Sequence, residues 1–201
     1  MEALDNYIFV AAADCTGHGV PGAMVSVVCS NALTKGVLEE KIINTDEILN
    51  KVREIIIEKL TSEENIRDGM DICLVRLTKD SNEIQYSGAN RPLYVVQDGV
   101  LTEFKPDKQP IGRYEEIQSF TKQDIILQKN SMLYLTTDGY ADQFGGEKGK
   151  KIGTKAFKEI LVKISEVSET EKQRVEMIKY FQQWKGDEEQ MDDVTVIGIR
   201  V

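Results

Sequence analysis

The sequence predicts an α+β protein: two antiparallel β-sheets packed together, with helix pairs outside in α-β-β-α layers. Three observations lead there. The 201 residues run as strand, two helices, several strands, two helices, strand, so strands do not alternate with helices and a doubly wound parallel sheet is excluded. From 70 to 104 the apolar period is two, with turn residues between the runs. Between 20–60 and 154–184 it changes to helical spacing.

In order, Tyr7–Ala13 is an apolar run and the first predicted strand. Residues 20–40 are the first helix. Val20, Ala23, Met24, Val27, Val28 and Ala32 form its apolar face, with Val25 and Cys29 beside it. Few charges precede Lys35, which predicts burial on more than one side. Pro21 suits the first helical position. Thr45-Asp46-Glu47 opens a second helix with a capping residue and acidic first turn, followed by Ile48, Leu49, Val52, Ile55, Ile56 and Leu60. Residues 62–69 read as a polar loop.

Met70–Leu77 and Glu83–Ser87 form a hairpin across residues 79–82. Leu93–Val96 and Val100–Leu101 pair across Asp98-Gly99, continuing an antiparallel meander. Residues 117–120 and 124–127 are strand-like, and Met132–Thr137 is a buried strand ending at Asp138-Gly139. Residues 144–153, rich in glycine and lysine, read as a mobile loop whose lysines steer an acidic partner. A P-loop is excluded there, because three residues rather than four separate Gly145 from Gly149-Lys150, and Lys151 follows. Thr154 caps a helix carrying Phe157, Ile160, Leu161 and Ile164. Ser168-x-x-Glu171 is a capping box for another carrying Met177, Ile178, Phe181 and Trp184. An acidic linker leads to the last strand, 194–201.

The net charge of −9 argues against nucleic acid as a partner and against an anionic membrane surface. No apolar run is long enough to span a membrane, so direct insertion is not expected. Cys15, Cys29 and Cys73 have no metal-ligand spacing and read as reduced, mostly buried thiols of a cytoplasmic protein.

Three apolar strands carry aspartate at an edge: Asp14 after 7–13, Asp138 after 132–137, and Asp192-Asp193 before 194–201. Acids converging at one end of a sheet stack repel unless a cation sits among them. Oxygen ligands without a histidine or cysteine cluster suit Mg²⁺ or Mn²⁺ rather than zinc. The other possibility is that Asp138-Gly139 is a turn, Asp192-Asp193 is a solvated loop, and the three never meet. One histidine in the chain does not make a Ser-His-Asp nucleophile.

Four stretches, DCTGHGVPGAM at 14–24, YSGANRPLYV at 86–95, LTTDGYADQFGG at 135–146 and MDDVTVIGIRV at 191–201, resemble in order and spacing the PP2C-like serine/threonine phosphatases of the SpoIIE/RsbU family. The resemblance implies a PP2C-like sandwich holding two Mn²⁺ or Mg²⁺ ions. It implies hydrolysis of phosphoserine or phosphothreonine by a metal-activated water, without a covalent enzyme intermediate. Asp14 corresponds to the bridging ligand and the Cys15 backbone carbonyl to a further one. Asp138 and Asp192 correspond to carboxylate ligands, with Asp193 the alternative to Asp192, and Asp142 to a ligand of a weaker third metal. His18 corresponds loosely to a candidate general acid. It stands four residues after Asp14 rather than two, which favours a role in the turn or helix N-terminus.

The implied partner is a phosphorylated regulatory protein of the anti-anti-sigma (STAS) type, with an N-terminal sensor domain in a full-length protein. The family has an earlier strand ending in a glycine-aspartate pair, and no such stretch precedes Asp14. The chain therefore reads as one phosphatase domain lacking its first strand or strands. That leaves an exposed sheet edge and a possible homodimer, and implies weak or absent activity. Two other functions compete: a non-catalytic signalling module with an incomplete metal site, and a metal-dependent nuclease or other phosphohydrolase, which the acidic charge disfavours.

Overall fold

The computed structural model describes residues 1–60, 68–114 and 116–201. Residues 62–67 of the expected polar loop lie outside them. The chain forms two compact units: residues 1–92 with 105–127, and residues 93–104 with 128–201. The expected α+β class is borne out, with an antiparallel sheet and a helix pair in each unit.

In the first unit the sheet order is β1 (Glu2–Leu4), β2 (Tyr7–Cys15), β3 (Gly69–Thr78), β4 (Glu83–Ala89) and β8 (Gln123–Ile126). β7 (Ile111–Gly112) also pairs with β3. Residues 7–13 are thus not the first strand. Glu2–Leu4 turns back on Tyr7–Phe9 through Asp5, whose φ is 51°. Phe9, Met70, Ile72 and Leu74 pack into one core with α1 (Gly19–Thr34) and α2 (Thr45–Leu60). Val10, Ala12, Cys73, Val75 and Tyr86 are also buried.

Helix α2 buries Ile48, Leu49, Val52, Ile55 and Ile56, the predicted stripe. Thr45 does not simply cap it. Its hydroxyl is buried at 2.8 Å from the Ser87 Oγ. Helix α1 corrects the sequence reading. Gly22, Val25, Cys29 and Ala32 face the core, whereas Val20, Met24 and Val27 are 75%, 66% and 60% exposed. Small residues at 22, 29 and 32 line the face of α1 that is buried. The last turn widens over Lys35–Glu39, with Glu40 N–H donating to the Lys35 carbonyl five residues back. Met24→Ala is accordingly expected to change unfolding free energy by less than about 0.5 kcal/mol, whereas Leu49→Ala costs about 3 kcal/mol. Urea denaturation of both variants checks this; a large loss at Met24 would contradict the observed face.

The expected meander also divides. β4 pairs with β3 and β8, while β5 (Leu93–Gln97) pairs with β6 (Val100–Phe104) in the other sheet. Asn90 at φ 55° and Pro92, which has no N–H to donate, end the β4 ladder. Residues 117–120 are not a strand, because their polar groups are taken elsewhere. Phe120 N–H donates to Asn50 Oδ1 at 3.1 Å and Gln118 N–H to Gln109 Oε1 at 3.1 Å. Arg53, buried on α2, donates to the Gln118 carbonyl at 2.8 Å and lies 4.7 Å over the Phe120 ring.

The second unit has sheet order β12 (Val196–Arg200), β9 (Met132–Thr136), β5, β6. Tyr94, Met132 and Tyr134 pack with α4 (Gly153–Ser165) and α5 (Thr170–Lys185) through Phe157, Leu161, Met177 and Phe181. Leu93, Val95, Leu133 and Leu135 are fully buried. Neither predicted cap forms. Ile152 precedes α4 and Glu169 precedes α5, without side-chain caps. Glu171 instead pairs with Arg174 one turn on, with Nε 3.0 Å from Oε1. The stretch at 144–153 contains a hairpin of β10 (Phe144–Gly145) and β11 (Lys150–Lys151) rather than an unstructured loop. No helix among the described residues is long and apolar enough to cross a membrane.

Candidate metal centre

Asp14 is the penultimate residue of β2, and its partner across the ladder is Asp71 on β3. Two carboxylates facing each other destabilise a sheet. Arg91 relieves the pair: its Nη2 lies 3.5 Å from Asp14 Oδ2 and 3.2 Å from Asp71 Oδ2. Asn90 Nδ2 donates to Asp71 Oδ1 at 2.8 Å. The break that ends β4 therefore also delivers a cation to Asp14.

After Cys15 the chain turns sharply into α1. Thr16 fixes the turn, its N–H donating to the Gly69 carbonyl and its hydroxyl to Asp68 Oδ1 at 3.1 Å. Gly17, at φ 91°, lies so close to the first helical turn that a Cβ on Gly22 would fall 2.7 Å from the Gly17 carbonyl. That contact explains Gly17 and Gly22, whereas Gly19 has open space around it and a φ of 62°. His18 is exposed, extended, and immediately precedes α1 without a side-chain cap. Pro21 is the third helical residue, not the first. Its missing N–H still costs nothing, because the first four have no intrahelical acceptor.

Cys15 is part-buried and Cys29 lies fully in the core beneath it. The Cys29 side chain holds the Cys15 thiol down to about 7, against the opposing effect of burial. Cys15 and burial push Cys29 up.

In the second unit, Asp138 follows β9 and opens the short helix α3 (Gly139–Asp142). Thr137 ties this turn to the segment before β12. Its hydroxyl donates to the Asp193 carbonyl at 3.0 Å and accepts from Thr195 N–H at 3.0 Å; its own N–H donates to the Thr195 carbonyl. Asp192 Oδ1 accepts from Asp193 N–H at 2.7 Å, so Asp193 takes part through its main chain. Asp142 carries a salt bridge to Lys151 at 2.8 Å.

Among the described residues one group of three metal-capable side chains stands out. Asp14, Asp138 and Asp192 each offer a carboxylate oxygen within 4.8 Å of the others. The donor set is oxygen only, which suits a hard divalent cation. Asp142 and Asp193 are outside this group. Sequence reasoning missed Asp71 and the Thr16–Asp68 tie. Arg91 entered it only within the stretch 86–95. The available signal was an acid inside the apolar run Met70-Asp71-Ile72.

A fold of two antiparallel sheets with helix pairs, carrying this carboxylate group, defines the class of PP2C-type metal-dependent phosphatases. The family model of Stage II sporulation protein E (SpoIIE) matches residues 5–201: the chain belongs to the SpoIIE family. Among solved structures it is similar to the SiaA-PP2C domain of Pseudomonas aeruginosa, at TM-score 0.86 and 24% identity, covering 97% of this chain and 79% of that one. It also resembles the phosphatase domain of the cell fate determinant SpoIIE from Bacillus subtilis, at TM-score 0.62 and 14% identity, covering 97% and 79%. RsbX in complex with magnesium gives TM-score 0.69 and 16% identity, covering 100% and 85%. No curated protein matches by sequence.

Proposed function

We propose that this chain hydrolyses phosphoserine or phosphothreonine on a signalling protein, with Mn²⁺ or Mg²⁺ held by Asp14, Asp138 and Asp192. The observation that carries the reading is the group of three carboxylates in a SpoIIE-family chain. The magnesium in RsbX is in keeping with the same hard cation. Two ions per complete site are proposed, with the Cys15 carbonyl as a further ligand. Asp193 is the alternative to Asp192, and Asp142, once free of Lys151, is a ligand for a weaker third ion. When bound, the cations lower the pKa of water and neutralise charge on the phosphate.

The chain's own residues prepare this chemistry. Arg91 offsets the repulsion between Asp14 and Asp71 and fixes Asp14 at the strand end. Thr137 holds Asp138 against the Asp192-Asp193 segment. His18, exposed at the start of α1, is proposed to shape the turn rather than to donate a proton. The proposed substrate is a STAS-type regulatory protein in the cytoplasm. The lysines at 148, 150 and 151 steer it, and a sensor domain N-terminal to this one sets the signal.

The test is release of phosphate from a phosphoserine peptide with Mn²⁺ and with EDTA, across a salt series. Turnover is expected with Mn²⁺ only, with kcat/KM falling as salt rises. Absence of turnover, together with no heat of Mn²⁺ binding by calorimetry, would instead support a non-catalytic signalling module.

A further inference from the structure

We propose that the space between α5 and the β9–β12 pair is a binding site for a small neutral aromatic molecule with one N–H or O–H donor, of the size of indole. The cavity measures about 250 Å³. An apolar cavity of about 150 Å³ takes benzene, and drug-sized ligands need about 300 Å³ or more, so a bicyclic ring is the size that fits.

The space arises because α5 and β12 meet incompletely. Residues 196, 198 and 200 fall on one face of β12. Val196 packs against the helices, and Arg200 turns to the Ser165 and Val167 carbonyls at 3.0 and 2.7 Å. Gly198, between them, supplies no side chain. Its ladder partner is Tyr134, and a Cβ at 198 would stand 3.3 Å from the Tyr134 ring. The gap beside Gly198 and Tyr134 is closed by Ile164 of α4 and by Gln173 and Met177, one turn apart on α5. The exposed pair Glu171 and Arg174 lines its mouth.

The lining selects the ligand. Ile164, Met177, Val196 and the Tyr134 ring are apolar, and a thioether with an aromatic ring favours an aromatic occupant. The polar groups among the buried lining residues carry no charge. The Tyr134 hydroxyl donates to Gln173 Oε1 at 3.2 Å, and burial pushes the phenol up to about 12, so it stays protonated. Both oxygens keep a lone pair for one further donor. Glu171 and Arg174 neutralise each other, so the mouth offers no net charge to an ion. The walls stand without a ligand: the Gln173 amide and Arg200 Nη2 both donate to the Val167 carbonyl at 2.7 Å, tying α5 and β12 to the α4–α5 connection.

The cavity lies behind two of the carboxylates. Tyr134 stands four residues before Asp138 and Val196 four after Asp192. The Met177 carbonyl accepts the hydroxyl of Tyr140, on α3, at 2.9 Å. A ligand that fastens α5 to β9 and β12 therefore also steadies the turns that carry Asp138 and Asp192. This coupling rests on the phosphatase reading above, whereas binding of the aromatic does not.

The test titrates indole into the folded, metal-free chain and follows it by NMR. Saturable shifts are expected at the Gln173 side-chain amide, the Met177 methyl and the Gly198 N–H. Gly198→Val and Val196→Phe, each verified as folded by thermal melting, are expected to weaken binding about tenfold or more, the discrimination a pocket shows for one or two methylenes. Shifts confined to other residues, or wild-type affinity in the folded variants, would overturn the site. Benzoate binding more tightly than indole would overturn the assignment to a neutral ligand. With saturating indole, Mn²⁺ is expected to bind about fivefold more tightly by calorimetry, the lower end of ordinary coupling between sites. Unchanged Mn²⁺ affinity in protein that NMR shows to hold indole would overturn the coupling. Absence of any Mn²⁺ binding would overturn the phosphatase reading, not the aromatic site, which the shifts alone decide.

Discussion

Asp138→Asn is expected to lower Mn²⁺-dependent phosphate release by about 10³-fold while leaving the folded state intact. Asparagine matches aspartate in shape, and the contacts that hold this turn are made by its neighbours. Thr137 binds the Asp193 carbonyl and Thr195 N–H, and the Asp138 carbonyl receives Asp142 N–H at 2.9 Å. The substitution removes one negative charge and keeps the shape of the side chain. A catalytic cation contributes several kcal/mol of charge stabilisation, and about 4 kcal/mol corresponds to about 10³-fold in rate. Glu103→Gln is the control. It lies on β6 of the same unit, outside the carboxylate group and paired with Lys158, so a change of less than about threefold is expected, since surface ion pairs contribute little. Phosphate release and thermal melting of both variants decide the matter. Equal activity in Asp138→Asn and wild type would remove Asp138 from the metal centre.

Asp14 is a less clean target, because its charge is shared with Arg91 and Asp71. That sharing marks where the sequence stops being legible. An acid at the rim of an apolar strand can be recognised in one dimension, and Asp14, Asp138 and Asp192 were all visible that way. The register that sets Asp71 opposite Asp14 joins residues 57 positions apart, and no local pattern encodes it. The strands at 7–13, 70–77, 83–87, 93–96 and 132–137 were readable because buried strands leave an alternating or continuous apolar record. Their division between two sheets was not, since the Gly88–Pro92 break looks like any other turn.

Helix α1 was misread for a different reason. It carries two apolar stripes, one with Val20, Met24 and Val27, the other with Gly22, Val25, Cys29 and Ala32. Hydrophobicity favours the larger side chains, but close packing selected the smaller ones. Residues 117–120 read as strand-like, yet Arg53, Asn50 and Gln109 supply their hydrogen-bond partners. Side-chain partners of that kind leave no period behind. The caps predicted at Thr154 and Ser168 failed similarly: the residue types fit, but the helices begin at Gly153 and Thr170.

The second large effect falls on a residue with no side chain. Gly139→Ala is expected to weaken both stability and Mn²⁺ affinity, in contrast to the charge-only loss at Asp138. A Cβ at 139 would stand 2.4 Å from the Asp193 carbonyl oxygen, 3.0 Å from its carbon and 3.3 Å from Val194 Cγ2. The nearest of these is backbone, and the Asp193 carbonyl is already fixed by the Thr137 hydroxyl. The added methyl cannot be accommodated by turning a side chain. Either the Asp138 turn or the Asp192-Asp193 segment must move, and each carries a member of the carboxylate group. Overpacking of this kind costs about 1–3 kcal/mol, and in a chain of this size each kcal/mol lowers Tm by about 2–4 °C. A fall in Tm of about 6 °C is expected, with at least about tenfold weaker Mn²⁺ binding by calorimetry, the scale of a disturbed supporting contact at a metal site. Thr137→Val separates the two components: it removes the hydroxyl that holds the Asp193 carbonyl without adding bulk beside Asp138. Weaker Mn²⁺ binding in both variants would tie affinity to the spacing between the Asp138 turn and the Asp193 main chain. A Gly139→Ala protein that melts and binds like wild type would show that this close approach does not set the position of the carboxylates.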